Sequence, residues 1–494
     1  MNSAKNLNLR AGLLSVLIFL TLLGIWYVAT SSTGASGGTA GMTAEQIEYA
    51  KMMGKDPGAS KSGGFPTLGA MGSTVWGHLS NPFYDNGPND KGIAIQLAHS
   101  LGRVALGFGL AGAAQADEPV FSVSGYGTLA WTQMSGDNAQ YRVGTAEPNG
   151  AGHAGSGETD SKLGVQIIAR PTDKFSATLH LLSKKNVNNN FNPRVEWAYG
   201  KYDLTPDVSL RAGRLALPGF VLSDYLNVGY SMTPVRGPVE VYAQLPISHF
   251  NGVDALWRTQ AGPLALTVQP FAGRSNIHAR FSDPQATRAE GDATVYGMNL
   301  VGQWDDWSLR IGRIDAKVSL NAGPVDSLIS TLRMMGENGA ASRLEYQDKH
   351  SSFTGLGVGY DNGKLLAQGE YTIRKAGGFL ADTTGWYVMA GWRFGNVTPY
   401  VMTARQRVTS DTQYGGIANP MLSAYVNGLL ASGNTSQKSW SLGARWDVAK
   451  NIAVKAQYDR IRPDHGSAAG LLISSDSKPL SSRHVATVAM DFVF

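Results

Sequence analysis

From residue 117 to the carboxy terminus the chain keeps one texture, short runs in which apolar and polar residues alternate singly. In IAVKAQYDRI (452–461), Ile452, Val454, Ala456 and Tyr458 share one side while Lys455, Gln457 and Asp459 share the other, because successive strand side chains point to opposite faces. WSLGARWDV (440–448) repeats this, with Trp440, Leu442, Ala444, Trp446 and Val448 opposite Ser441, Gly443, Arg445 and Asp447. No run of 18 uncharged apolar residues occurs beyond Asp117, so membrane helices are excluded there.

Sixteen such runs are expected, near 121–135, 161–171, 174–185, 193–204, 208–217, 252–261, 264–275 and 293–304, then 307–319, 352–361, 364–375, 385–395, 397–409, 437–448, 452–462 and 484–494. Tight connections at PTDK (171), TPD (205), AGP (261), DD (305), DNG (361), GN (395) and AKN (449) alternate with long polar ones. Short turns on one rim, long loops on the other and an even strand number describe a transmembrane antiparallel β-barrel. Closure is required because lipid offers no partner to an open edge.

The ending HVATVAMDFVF places Phe494, Phe492, Met490, Val488 and Ala486 on one face and Asp491, Ala489 and Thr487 on the other. With FSVSGYGTLAWTQ (121–133) and LRAGRLALPGFVLSDYLNVGY…PVEVYAQLP (210–246), residues 117–494 resemble the general diffusion porins of Gram-negative bacteria. That resemblance implies a third loop folded inward, a homotrimer, outer-membrane lipids and lipopolysaccharide around it, and barrel-assembly machinery that reads Phe494 and Phe492. It also implies loop carboxylates facing a ladder of wall arginines, and passive diffusion of small hydrophilic solutes and ions.

The expected inward loop is 217–250, long and apolar (Phe220, Leu222, Tyr225, Leu226, Tyr230), with the acids Asp224 and Glu240. Alternation places Arg310, Arg374, Arg393, Arg405, Arg407, Arg445 and Lys455 toward the lumen, with Arg211 and Arg258 joining them. Acids expected on that face are Glu196, Asp254, Glu370, Asp459 and Asp491. Opposed charges across a narrow pore make a transverse field, and a basic excess tilts permeation toward anions. Trp131, Trp197, Trp304, Trp307, Trp386, Trp392 and Trp446 are expected at the membrane interfaces.

The first part of the chain is unlike the rest. Residues 11–30 carry no charge and follow Lys5 and Arg10; this fits a membrane helix, with a cleaved signal peptide as the competing reading. Residues 31–103 read as linker, and 1–111, through HLSNPFYDNGPNDKGIAIQLAHSLGRVALGFGLA, resemble the amino-terminal part of a nitrate-type ABC importer permease. In 104–116 an apolar run closes on Ala114, Gln115 and Ala116 before Asp117, as a signal-peptide cleavage site does. These features describe a fusion, a barrel for the outer membrane that stays in the inner membrane if its first helix is kept. An inner-membrane permease component is the alternative function.

Other classes are poorly supported. There is no Cys, and the nine His show no metal-ligand spacing. No cofactor is implied, and a net charge of +5 over 494 residues, scattered, gives no nucleic-acid footprint. A barrel hydrolase would need a positioned His; His153, His249 and His350 sit in expected loops. GLGVGYDNG (355–363) lies on an alternating strand without a following helix, so its glycines are read as easing strand curvature.

Overall fold

The computed structural model describes residues 120–280, 288–464, 467, 472–474 and 482–494. The expected anchor, linker, permease-like segment and cleavage site at Ala114, Ala116 and Asp117 lie outside the described residues.

Sixteen antiparallel strands close into a barrel. They are β1 (Phe121–Met134), β3 (Lys162–Ala169), β4 (Phe175–Lys184), β5 (Arg194–Asp203), β6 (Val208–Ala216), β7 (His249–Ala261), β8 (Leu264–Arg280) and β9 (Arg288–Trp304). The circuit continues through β10 (Trp307–Asn321), β11 (Lys349–Asp361), β12 (Leu365–Lys375), β13 (Thr383–Trp392), β14 (Val397–Val408), β15 (Gln437–Ala449), β16 (Ile452–Pro463) and β18 (Arg483–Val493). Each expected run became a strand. Two three-residue strands, β2 (Ala139–Tyr141) and β17 (Leu472–Ser474), pair with each other in a separate sheet.

Closure joins the two ends of the barrel sequence. β1 pairs with β18 from Tyr126 opposite Val493 to Met134 opposite Val485, and on its other edge with β3. Phe494 continues the ladder, exchanging backbone hydrogen bonds with Gly125 at 2.9 Å in both directions. Gly125 and Gly127 are there for close approach: a Cβ on either would strike the ring of Phe494 or Phe492.

The seven short connections all lie at the rim that carries the carboxy terminus. Their chemistry suits tight reversal, since Gly262, Asp305 and Asn451 adopt positive φ of 61°, 48° and 67°, the region that hairpin turns demand. Long connections hold helices: α1 (Val239–Tyr242) against the strands from inside the barrel, and α2 (Gly323–Met334), α3 (Asn338–Leu344) and α4 (Pro420–Ser432) at the opposite rim. Asn419 caps α4 by accepting from the backbone N–H of Met421 and Leu422, and Pro420 occupies its first turn.

Outside, the wall exposes large apolar side chains such as Val123, Leu129, Val253, Ile311, Val388, Val401, Leu442 and Val488. In water such a band would be an unpaid exposure, whereas in lipid it is the solvated state. Tryptophans flank it. Trp131, Trp386 and Trp440 stand toward the long-loop rim, and Trp304, Trp307, Trp392 and Trp446 toward the short-turn rim.

Trp197 departs from this expectation. A register irregularity at His180/Leu181 leaves Glu196 out of the ladder between Val195 and Trp197, and such a bulge re-aims neighbouring side chains. Trp197 consequently faces the interior, its ring 4.5 Å from that of His180, and Glu196 is buried beside it.

The interior is not uniformly polar either. Phe271, Ile277, Val295, Ile314, Val318 and Leu320, inward on β8–β10, pack with Phe220, Val241, Leu332, Leu344 and Leu430 in one apolar cluster. That part of the cylinder is apolar, with a cavity of about 90 Å³ bounded by Ile277, Val295, Ile314, Val318 and Leu320.

Candidate functional site

Residues 217–248, between β6 and β7, fold into the barrel as expected and lie against its inner wall from β10 to β18. The wall holds the loop chiefly by cations bound to loop carbonyls. Lys455 Nζ donates to the carbonyls of Gly229, Met232 and Pro234 at 2.7, 2.6 and 3.1 Å, and pairs with Asp491 at 2.8 Å. Arg445 Nη1 donates to Tyr230 O and Met232 O at 2.6 and 3.0 Å. Arg374 reaches Gln244 O at 2.8 Å, and Arg310 reaches Val221 O at 3.3 Å.

Polar wall groups complete the attachment. Glu370 accepts from Val221 N at 3.1 Å and from the Tyr242 hydroxyl at 2.8 Å. Gln457 Oε1 accepts from Val235 N at 3.0 Å. Arg236, on the loop, pairs with Asp160 at 3.0 Å and Asp459 at 3.6 Å, and lies over the Tyr141 ring. A buried cation held to loop carbonyls in this way fixes geometry.

Other residues of the expected ladder divide into three groups. Arg211 faces inward and pairs with Asp254 through two hydrogen bonds, the Nε one at 2.8 Å; Asp224, exposed on the loop, is within electrostatic range of Arg211 and Arg310. Arg258 and Arg393 sit low, toward the short-turn rim, donating to Ser209 Oγ at 3.3 Å and to Asp361 at 2.5 and 2.7 Å. Arg405 and Arg407 do not face the lumen. They share the face of exposed Val401, while Met402, Ala404 and Gln406 point inward. The apolar stripe of β14 ends before Arg405, so polarity alone gave the wrong side.

Glu240 is also displaced from its expected role. It is 1% exposed on α1, where its Oε1 accepts from Gln437 Nε2 at 2.8 Å. Burial pushes its carboxyl above the usual range. It faces no wall arginine across open space.

A second cavity, of about 280 Å³, lies between the loop and the wall formed by β3, β4 and β5. Its basic lining is Lys162, Lys184, Lys185, Arg194 and Arg236. Lys162 and Lys184 are direct register partners across β3 and β4, both turned inward. Lys184 Nζ has a neutral partner, Asn227 Oδ1 at 3.1 Å, and Lys162 forms no ion pair or side-chain hydrogen bond among the described residues. Like charges opposite one another repel; Asp491, Asp160 and Glu147 act on Lys162, and Glu196 and Glu147 on Lys184, from beyond ion-pair distance. Arg194 and Lys185 are compensated by Glu196 at 3.3 Å and Glu158 at 2.7 Å.

Glu147, in the connection from β1 to β3, lines the same cavity. It is 7% exposed, and burial raises its pKa to about 7 despite the hydrogen bond from Val143 N. Asp160 raises it further, while Lys184 and Lys185 oppose the shift.

Alternation could have disclosed two of these residues. Leu163, Val165 and Ile167 put Lys162 on the inner face, and Ala177, Leu179 and Leu181 do the same for Lys184. Arg194 beside the bulge, and Arg236 and Glu147 in irregular connections, carry no such signal.

No family model matches the chain, and no curated protein does. The resemblance of residues 1–111 to an importer permease therefore finds no support. Solved structures similar to the chain include OmpF of Salmonella typhi in complex with daunomycin, at 12% identity and TM-score 0.46, covering 76% of this chain and 97% of that one. The outer membrane channel DcaP of Acinetobacter baumannii matches at 10% identity and TM-score 0.46, over 77% and 100%. An anion-selective porin from Comamonas acidovorans matches at 12% and 0.41, over 76% and 99%.

Proposed function

We propose that the barrel is an outer-membrane pore for passive diffusion of small hydrophilic solutes, with a mild preference for anions. The observation that carries this is the Lys162–Lys184 pair, set without an acid partner in an off-centre cavity inside a closed barrel whose outside is apolar. A closed wall satisfies its own backbone, the exposed apolar band needs lipid, and the lysine-lined cavity beside the loop is the place where a solute would pass it. Cations free of ion pairs along that route raise the local anion concentration and lower the barrier to anion entry.

A homotrimer fits the unequal wall. β3 has 8 residues and β8 has 17, and a tilted strand needs roughly 9–11 residues to span lipid. The low side is better covered by a second copy than by lipid.

Purified chain added to a planar bilayer should give stepwise, ohmic conductance, with a reversal potential of anion-selective sign in a potassium chloride gradient. A protein that forms no channels would defeat the pore; channels of cation-selective sign would defeat the preference alone.

A further inference from the structure

The inner wall of a water-filled barrel is ordinarily polar, yet β8, β9 and β10 turn Ile277, Val295, Ile314, Val318 and Leu320 inward. With Phe353 of β11 they line the cavity of about 90 Å³, which adjoins the inserted loop at 244–247. Packing against the helices accounts for the cluster but not for the space: Val325, Ile329, Leu332 and Leu344 belong to the cluster, and none of the four lines the cavity.

Water is a poor occupant, because a held water needs two to four polar partners and the polar groups of this lining are engaged with one another or with the wall. Ser351 Oγ and the Tyr346 hydroxyl share a hydrogen bond at 2.9 Å. The Gln244 amide donates to Glu240 O and Thr372 Oγ1 at 2.9 and 2.8 Å and accepts from Thr383 at 3.0 Å. An apolar group that displaces such water gains affinity.

The charge at the cavity is of one sign. Arg374 and Lys375 are in its lining and no acid is. Lys375 pairs with Asp382 at 3.0 Å, whereas Arg374 has no ion pair among the described residues, and Asp382 acts on it from beyond that distance. Two of the five guanidinium N–H groups donate to Gln244 O and Ala381 O, each at 2.8 Å, and Nε has no acceptor among the described residues. A largely buried cation without an acid beside an apolar space suits a ligand that brings an anion and an apolar body together. The cavity also shares Leu217, Leu245, Pro246 and Ile247 with the larger, lysine-lined one, so an anion drawn to those lysines arrives next to it.

Resting on the reading of the barrel as an anion-preferring pore, we infer that this cavity is a binding site for small aliphatic carboxylates, the chain among Ile314, Val318 and Leu320 and the carboxylate on the side of Arg374. Water takes roughly 30 Å³ per molecule in the liquid, so the space accepts about three or four carbons.

Block of single-channel chloride current in a planar bilayer, with the full chain and the sodium salts of acetate through hexanoate, tests this. Each buried methylene tightens binding roughly fourfold, so pentanoate should block at a concentration roughly sixtyfold below that for acetate, and hexanoate should add little because the space is full. Butylammonium and 1-butanol at the concentration of half-block by butanoate should leave the current unchanged. Ala316→Leu, which puts a larger side chain into the same lining, should flatten the dependence on chain length and leave acetate as it was.

Equal block by acetate and pentanoate, a gain that continues undiminished past hexanoate, or equal block by butylammonium would overturn the site. The series on the unaltered chain needs no variant to fold. Current without carboxylate separates the two readings: channels whose block ignores chain length keep the pore and remove the site, whereas a chain that forms no channels removes the pore on which the site rests.

Discussion

Two stretches of the inner wall carry cations of the same parity and use them differently. On β10, β12, β15 and β16, Arg310, Arg374, Arg445 and Lys455 bind carbonyls of the inserted loop. On β3 and β4, Lys162 and Lys184 face the cavity with no acid between them. What separates them is the course of the loop, which seals one side of the cylinder and leaves the other open. An inward cation is thus a structural tether or is left facing open space according to what lies across from it.

The largest effect that could break this contrast is on the tethered side. Lys455→Met strands the Asp491 carboxylate, 1% exposed and left with Thr128 as its hydrogen-bond donor. Breaking a buried pair costs roughly 3–5 kcal/mol, so thermal unfolding in detergent should move to markedly lower temperature, and single channels should become noisier as the loop loosens. Unchanged melting and quiet channels would show that the loop is held otherwise.

On the open side, Lys162→Gln with Lys184→Gln should lower the anion-to-cation permeability ratio by roughly threefold with little change in melting. Reversal potentials read the ratio, and a ratio that does not move would remove these lysines from the solute path.

The third expectation concerns pH. Glu147 titrates near pH 7 in the folded protein against a usual value of 4.5, so the native state holds its proton more tightly than the unfolded chain. The stabilisation this gives is full below the unfolded value and is lost as pH rises toward 7. Over pH 6–8 the new carboxylate beside Lys184 and Lys185 should reduce anion preference modestly, and Glu147→Gln should flatten that slope in reversal-potential titrations. A slope that survives the substitution belongs to another group.

The smallest expected effect is at Arg407. Because it lies on the outer face, Arg407→Gln should leave ion selectivity within measurement error. A shift like that of the lysine pair would return it to the lumen.

Much of the fold was legible because strand periodicity is local. The run 452–461 declares its two faces whatever surrounds it, and turns such as AGP and AKN announce reversal through residues that tolerate positive φ. Less of the site was legible. Glu240 and Asp224 have the same charge in the same loop, yet a short helix buries the first and leaves the second exposed. Trp197 was misplaced by a single bulged residue. Arg405 and Arg407 were misplaced because a polar residue on a strand reads alike whether it meets a lumen or a headgroup layer.

By itself, then, the sequence determined the number of strands, which rim carries the short turns, and that a long apolar segment must seek cover inside. Alternation and turn chemistry act between near neighbours and need no knowledge of the whole. Only the tertiary structure decided which wall the loop would cover, and hence which cations became tethers and which remained available. That choice depends on groups hundreds of residues apart, Lys455 with Gly229 or Arg236 with Asp459, meeting once the barrel has closed.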